Sequence, residues 1–291
     1  MSTGLASPLK YHGGKSYLAS RIVALMPDHR HYVEPYAGGL SVLLQKNFVG
    51  VSEVVNDLDG ELTNFWLVLQ DENLFAKFVR KVQACPFTEL QWRRAVAMSD
   101  QCRDLLARGF RFSDSAAVSY AWSFFLRCRQ SLAGRMNAFA PLSKTRTRQG
   151  MNEQAAAWLT AVKGLPEVHA RLSRVVILNR DALSVIRQQD GPDVLQYLDP
   201  PYVATTRTAA EVYRCEADES HHRQLLSLIT SGLQSKFVIS GYRCPLYDEA
   251  LSKWHRVDFE IANHAAGGES KRRMTESVWT NFPAGNGSTS V

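Results

Sequence analysis

The sequence predicts an α/β fold in which a parallel sheet is interrupted by a helical insertion, and three observations carry that reading. Short apolar runs alternate with helical periodicity up to residue 64 and again from residue 170 onward. Between these stretches the pattern is almost wholly helical. An acidic residue also follows directly on two strand-like runs, Asp57 after Ser52–Asn56 and Asp199 after Val194–Leu198. The carboxyl ends of strands are where open α/β sheets bind ligands.

In chain order, Ser16–Met26 carries apolar residues at helical spacing and stops at Pro27. His31–Glu34 reads as a strand closed by Pro35 and a glycine turn, Ser41–Phe48 as a helix, and Ser52–Asn56 as a strand. Helices are predicted over Phe65–Gln70, Leu74–Ala84, Thr88–Ser99, Ala116–Arg129 and Asn152–Leu172. Ser131–Gly150 breaks that pattern, and so long a connection without structure is usually functional or mobile. Arg174–Leu178 then reads as strand, Ala182–Gln189 as helix and Val194–Leu198 as strand. A helix over Glu219–Thr230, a strand over Lys236–Ser240 and two late β-like runs, His255–Ile261 and Thr275–Asn281, complete the chain. The simplest organisation is one domain made of residues 1–64 and 170–291, with residues 65–169 inserted.

Composition sets the broad class. Of 291 residues, 45% are apolar and 21% charged, enough apolar surface to exclude a disordered chain. No apolar run reaches the roughly 18 residues of a membrane span, and the N-terminus lacks a secretory profile. Five cysteines without a C-x-x-C pair suggest neither a disulfide framework nor a zinc cage. A cytoplasmic, reduced protein is therefore expected. The net charge is +6, and no acidic residue lies between Asp114 and Glu153. That stretch holds Arg127, Arg129, Arg135, Lys144, Arg146 and Arg148, the footprint of a polyanion binder or, alternatively, a solvated basic loop.

The sharpest local signal is Leu198-Asp199-Pro200-Pro201-Tyr202. Two prolines fix φ and lack N–H groups, so the turn displays a carboxylate, a rigid carbonyl and an aromatic ring in a small space. Those parts suit a flat ring bearing an amine; the alternative is a strand end with a packed tyrosine. Tyr32–Gly39 follows the first strand and precedes a helix, and its glycines permit close backbone approach to a ligand. About 20 residues later Asp57 stands where α/β nucleotide folds grip a ribose. Gly14-Lys15-Ser16 ends like a phosphate loop, but the first glycine of that motif would fall at Leu9, which excludes it. His221 and His222 are adjacent on a helix and do not face one site, so no metal is expected.

Taken in order, Lys10–Lys15, Glu34-Pro35-Tyr36-Ala37-Gly38-Gly39, Asp57 and Asp199-Pro200-Pro201-Tyr202 resemble the Dam-like (D12 class) DNA adenine-N6 methyltransferases. Glu211–Cys215, Val238–Tyr242 and Glu276–Trp279 look like the phage and prophage members. The family's glycine loop commonly reads F-x-G-x-G; here Tyr36 takes the aromatic place and Leu40 that of the final glycine.

The resemblance implies a Rossmann-like, S-adenosylmethionine-dependent methyltransferase sheet with an inserted target-recognition domain. It implies duplex DNA as partner, a nucleoid-associated location, no metal, and a monomer or a dimer on DNA. Tyr11 and Lys15, the latter meeting the cofactor carboxylate, then bind S-adenosylmethionine together with Pro35, Tyr36, Ala37, Gly38 and Gly39. Asp57 takes the ribose hydroxyls, and Asp181 the adenine amine unless it is a helix N-cap. Asp199 also borders the cofactor, and Asp199, Pro200, Pro201 and Tyr202 form the catalytic turn. The six basic residues are expected on DNA phosphates. Transfer to RNA adenine or a protein amide, or an inert nucleic-acid-binding relative, are the competing readings. The target sequence, and whether the enzyme pairs with a restriction endonuclease, stay open.

Overall fold

The computed structural model describes residues 4–11, 13–141, 144–202, 219–262 and 273–283. His12, His264, Glu211–Cys215 and the polar tail from residue 284 lie outside the described residues. Two compact units emerge. One comprises Met1–Tyr17, Gly38–Gln45 and Asp59–Ile177; the other Leu18–Ala37, Lys46–Leu58 and Leu178–Val291. The helical unit thus takes in the Lys10–Lys15 motif and Gly38-Gly39 as well as the expected insertion.

In the sheet unit, β1 (His31–Glu34), β2 (Ser52–Asn56), β6 (Val194–Leu198) and β7 (Lys236–Gly241) run parallel in the order β2-β1-β6-β7. Beyond β7 come β9 (Arg273–Thr280) and β8 (His255–Ala262), both paired antiparallel. β5 (Val175–Leu178), in which the chain passes from one unit to the other, edges the seven-stranded sheet beside β2. Every residue of β6 is buried, as expected of a strand covered on both faces. Helices α9 (Ala182–Gln188), α10 (Glu219–Thr230) and α11 (Pro245–Ala250) supply Leu183, Ile186, Leu225, Ile229 and Tyr247 to a core with Leu198, Phe237, Ile239 and Trp279. α1 (Ala19–Ala24) is shorter than its apolar pattern suggests.

The helical unit contains α2 (Ser41–Gln45), α3 (Gly60–Gln70), α4 (Glu72–Gln83), α5 (Glu89–Ala107), α6 (Asp114–Arg129), α7 (Glu153–Lys163) and α8 (Leu165–Leu172). Asp59 starts α3 by accepting from the N–H groups of Glu61 and Leu62, and Thr88 starts α5 by accepting from Gln91. The continuous helix expected over Asn152–Leu172 is broken at Gly164, where Pro166 fits the first turn of a new helix. α6 is buried from Tyr120 to Cys128, and a helix buried on every side is the core element of its unit. Around it Phe65, Phe78, Phe124 and Phe125 pack with ring centroids 5.6–5.9 Å apart.

The stretch Ser131–Gly150 is not bare. A 3₁₀ turn covers Leu132–Gly134, Ser131 bridges Phe139, and β3 (Thr147–Arg148) pairs with β4 (Met151–Asn152) as a hairpin. Its two turn residues, Gln149 (φ 55°) and Gly150 (φ 74°), are both left-handed, as a two-residue hairpin loop requires.

Candidate active site

Between β1 and β6 the strand order reverses: the chain leaves β1 for β2 on one side, and β6 lies on the other. Such a switch point opens a crevice at the carboxyl ends of the strands. Pro35-Tyr36 leave β1 there, Asp57 leaves β2, and Asp199 leaves β6. Parallel pairing therefore puts three of the expected segments on one edge of the sheet.

The end of β2 organises that edge. Asn56 is fully buried, and its Nδ2 donates to the carbonyls of Pro35 (2.9 Å) and Arg180 (3.0 Å). Its Oδ1 accepts from the Arg180 N–H at 2.9 Å, and its own carbonyl accepts from the Ala37 N–H at 2.8 Å. One amide thus ties the segments after β1, β2 and β5 together, a role that Asn56-Asp57 in the sequence gave no hint of. Asn179 Nδ2 adds a bond to the Asp57 carbonyl at 2.6 Å, and Asp57 is half-buried. Asp181 caps α9, its carboxylate accepting from the Ser184 N–H at 2.8 Å, so the helix-cap reading is the one observed.

Around Asp199, Ser240 Oγ of β7 donates to Oδ1 at 2.9 Å and lies 3.0 Å from the Tyr197 hydroxyl. Pro200 is buried; Asp199, Pro201 and Tyr202 are half-buried. The Tyr202 hydroxyl donates to Glu276 of β9 at 2.5 Å, and its ring lies 4.5 Å from that of Tyr242. The Tyr36 hydroxyl meets His221 Nε2 at 2.7 Å. Burial, with the nearby Tyr247 and Asp181, holds the Tyr36 phenol well above its usual pKa, so it stays protonated. Burial first, then Cys244 and Asp199, raises that of Tyr247 as well.

The helical unit holds the other expected cofactor residues. Gly38 (φ 48°) lies where an added Cβ would touch the Tyr11 ring at 3.6 Å, and one on Gly39 would meet Tyr11 Cβ at 3.1 Å. Trp66 Nε1 donates to the Gly38 carbonyl (3.1 Å), and Ser7 Oγ to that of Gly39 (2.6 Å). Leu40, in the family's glycine place, keeps a left-handed φ of 53° while its side chain is fully buried. Lys15 is 3% exposed and donates to the Gly13 carbonyl at 3.1 Å.

The expected basic face divides. Arg135, Lys144, Arg146 and Arg148 are exposed. Arg129 is half-buried, with Nη2 donating to the Ala157 carbonyl at 2.8 Å. Arg127 corrects the expectation: it is 3% exposed and paired with the buried carboxylate of Glu61, which also accepts from Ser99 Oγ at 2.7 Å. A guanidinium enclosed in this way presents nothing to a phosphate. Among the described residues no group of three or more His, Cys, Asp or Glu is placed to hold a metal, and no helix is long and apolar enough to cross a membrane.

No curated protein matches the chain. The profile of the D12 class N6 adenine-specific DNA methyltransferases matches residues 11–265, a span that runs from the Tyr11 segment through the glycine loop, Asp57 and the Asp199–Tyr202 turn. The chain belongs to that family and is an adenine-specific DNA methyltransferase.

Proposed function

We propose that the chain methylates N6 of an adenine flipped out of duplex DNA, with Asp199, Pro200 and Tyr202 acting on the base. The observation that carries this reading is the Asp199 carboxylate at the carboxyl end of β6, held by Ser240 beside a switch point. Adenine N6 is a poor nucleophile because its lone pair is delocalised into the ring. Asp199 and the Pro200 carbonyl accept its two hydrogens, which favours a tetrahedral nitrogen and stabilises the positive charge developing there. Pro201 denies the turn an N–H and so keeps it open to the base. Tyr202 stacks on the base. A base inside a helix is out of reach of this turn, so the adenine must leave the stack at a cost of a few kcal/mol.

S-adenosylmethionine, the methyl donor the family implies, supplies an electrophilic methyl group on its sulfonium. The residues fit it: Gly39 stands where a side chain would crowd Tyr11, and a half-buried carboxylate ends β2. Tyr11, Lys15, Pro35, Tyr36, Ala37, Gly38, Gly39, Asp57, Asp181 and Asp199, the residues the family resemblance assigns, are those that would hold it. Lys15 takes the carboxylate and Asp57 the ribose hydroxyls, while Asp181, which caps α9 through Oδ2, offers its other carboxylate oxygen to the adenine amine. Arg129, Arg135, Lys144, Arg146 and Arg148 contact DNA phosphates and offset the cost of flipping.

Incubating the chain with labelled S-adenosylmethionine and unmethylated duplex DNA is expected to yield labelled N6-methyladenine. Asp199→Ala is expected to lower transfer by about a thousandfold or more. Label confined to RNA or to a protein amide would overturn the reading. Mapping the modified adenines in DNA from a host expressing the chain then identifies the target site.

A further inference from the structure

The segments Val238–Tyr242 and Glu276–Trp279 are part of the family likeness, yet neither supplies a residue to the proposed cofactor or base contacts. Both lie on neighbouring strands, paired antiparallel as Ser240 with Val278 and Gly241 with Ser277. Each sends a buried polar side chain to the Asp199–Tyr202 turn: Ser240 and Glu276 are both fully buried. Taking a carboxylate out of water carries a penalty of several kcal/mol. Glu276 therefore has to be explained by what it holds.

We propose that Ser240 and Glu276 are positioning residues that divide the turn's two tasks, Ser240 orienting the Asp199 carboxylate and Glu276 orienting the Tyr202 ring. This rests on the methyl-transfer reading given above. Ser240 has one hydroxyl hydrogen, and Oδ1 of Asp199 at 2.9 Å is a much better acceptor than the Leu198 carbonyl at 3.5 Å. With that hydrogen committed, the Tyr197 hydroxyl donates to Ser240, and the chain Tyr197–Ser240–Asp199 has one direction. It fixes the rotation of the carboxylate that must meet an N6 hydrogen. Glu276 acts on a different coordinate. The Tyr202 hydroxyl lies on the axis about which its ring turns, so the bond to Glu276 fixes the direction of that axis. Tyr242, tilted 40° to the ring, limits rotation about it. A stacking platform needs both.

The two roles predict opposite kinetic signatures in the full chain acting on duplexes that carry its mapped site. Ser240→Ala is expected to lower kcat about tenfold while leaving the DNA KM unchanged, since the carboxylate meets the reacting nitrogen and the cofactor rather than the rest of the duplex. Glu276→Leu is expected to raise the DNA KM about tenfold. It should also weaken the fluorescence gain of 2-aminopurine placed at the target adenine. Glu276→Gln, which keeps the acceptor, restores both. Leu is close in volume to the buried Glu, and a urea unfolding transition as cooperative as that of wild type certifies each variant as folded. Variants that match an active wild type, a Ser240→Ala effect on KM alone, or a Glu276→Gln as impaired as Glu276→Leu would overturn the proposal. A wild-type chain that methylates no adenine would instead overturn the functional reading, and the proposal with it.

Discussion

The sheet unit and the helical unit present their charged side chains by different rules, and the difference is physical. At the carboxyl edge of the parallel strands, Asp57 and Asp199 emerge where the backbone ends its ladder, so their placement follows from strand position alone. On α6, a single residue separates Arg127 from Arg129, yet the first is enclosed and the second reaches a cavity shared with Lys10 and Gln45. Nothing near Arg127 in the sequence marks it as buried. Its partner, Glu61, is 66 residues away.

Breaking that pair is the largest effect expected. Arg127→Met leaves the Glu61 carboxylate buried without its cation, at a cost of about 3–5 kcal/mol in urea unfolding. Adding Glu61→Leu should recover most of it, because an apolar pair of similar volume tolerates the site. Should Arg127→Met leave stability unchanged and reduce DNA affinity, Arg127 would rejoin the exposed cations and the contrast would fail. In the sheet unit the matching change is Asn56→Ala, which removes three side-chain bonds from buried or half-buried backbone. A loss of about 2–3 kcal/mol is expected, with weaker S-adenosylmethionine binding measured by calorimetry.

The exposed cations of the hairpin test the other half. Arg146→Glu with Arg148→Glu should leave unfolding within about 0.5 kcal/mol of wild type. DNA binding should weaken by about tenfold or more. The slope of log affinity against log salt should become shallower by about 1.8 if each arginine meets one phosphate. An unchanged slope would return them to the solvated-loop reading.

What could be read in advance follows the same division. His31–Glu34, Ser52–Asn56, Val194–Leu198 and Glu219–Thr230 have the bounds their sequences predict, because apolar runs flanked by turn residues determine both ends. α11 escaped notice, since six residues hold too few turns for periodicity to register. The hairpin turn at Gln149-Gly150 was hidden by flanking strands of two residues each. Asp57 and Asp199 were legible as motif residues. The role of Asn56 was not, nor were those of Ser240 and Glu276 inside their family-like segments, because each matters through a partner on another strand or loop, a relation no local pattern contains.

The smallest effect concerns a carboxylate at the opposite edge of the sheet. Asp190 precedes β6 and accepts from Ser235 Oγ (2.7 Å), Ser235 N–H (2.9 Å) and Gln234 N–H (3.1 Å), bracing the entry to β7. Burial alone would raise its pKa, but these bonds outweigh it and hold the carboxyl below its usual value. A lowered folded-state pKa means that the unfolded chain binds the proton more readily. The stabilisation is therefore complete above the unfolded value, about 3.9, and disappears as pH falls through the lower folded one. Asp190→Ala should be less stable than wild type at neutral pH by a margin that shrinks only in that acid window, as read from urea midpoints at successive pH values. A margin independent of pH would assign the bracing to shape rather than charge.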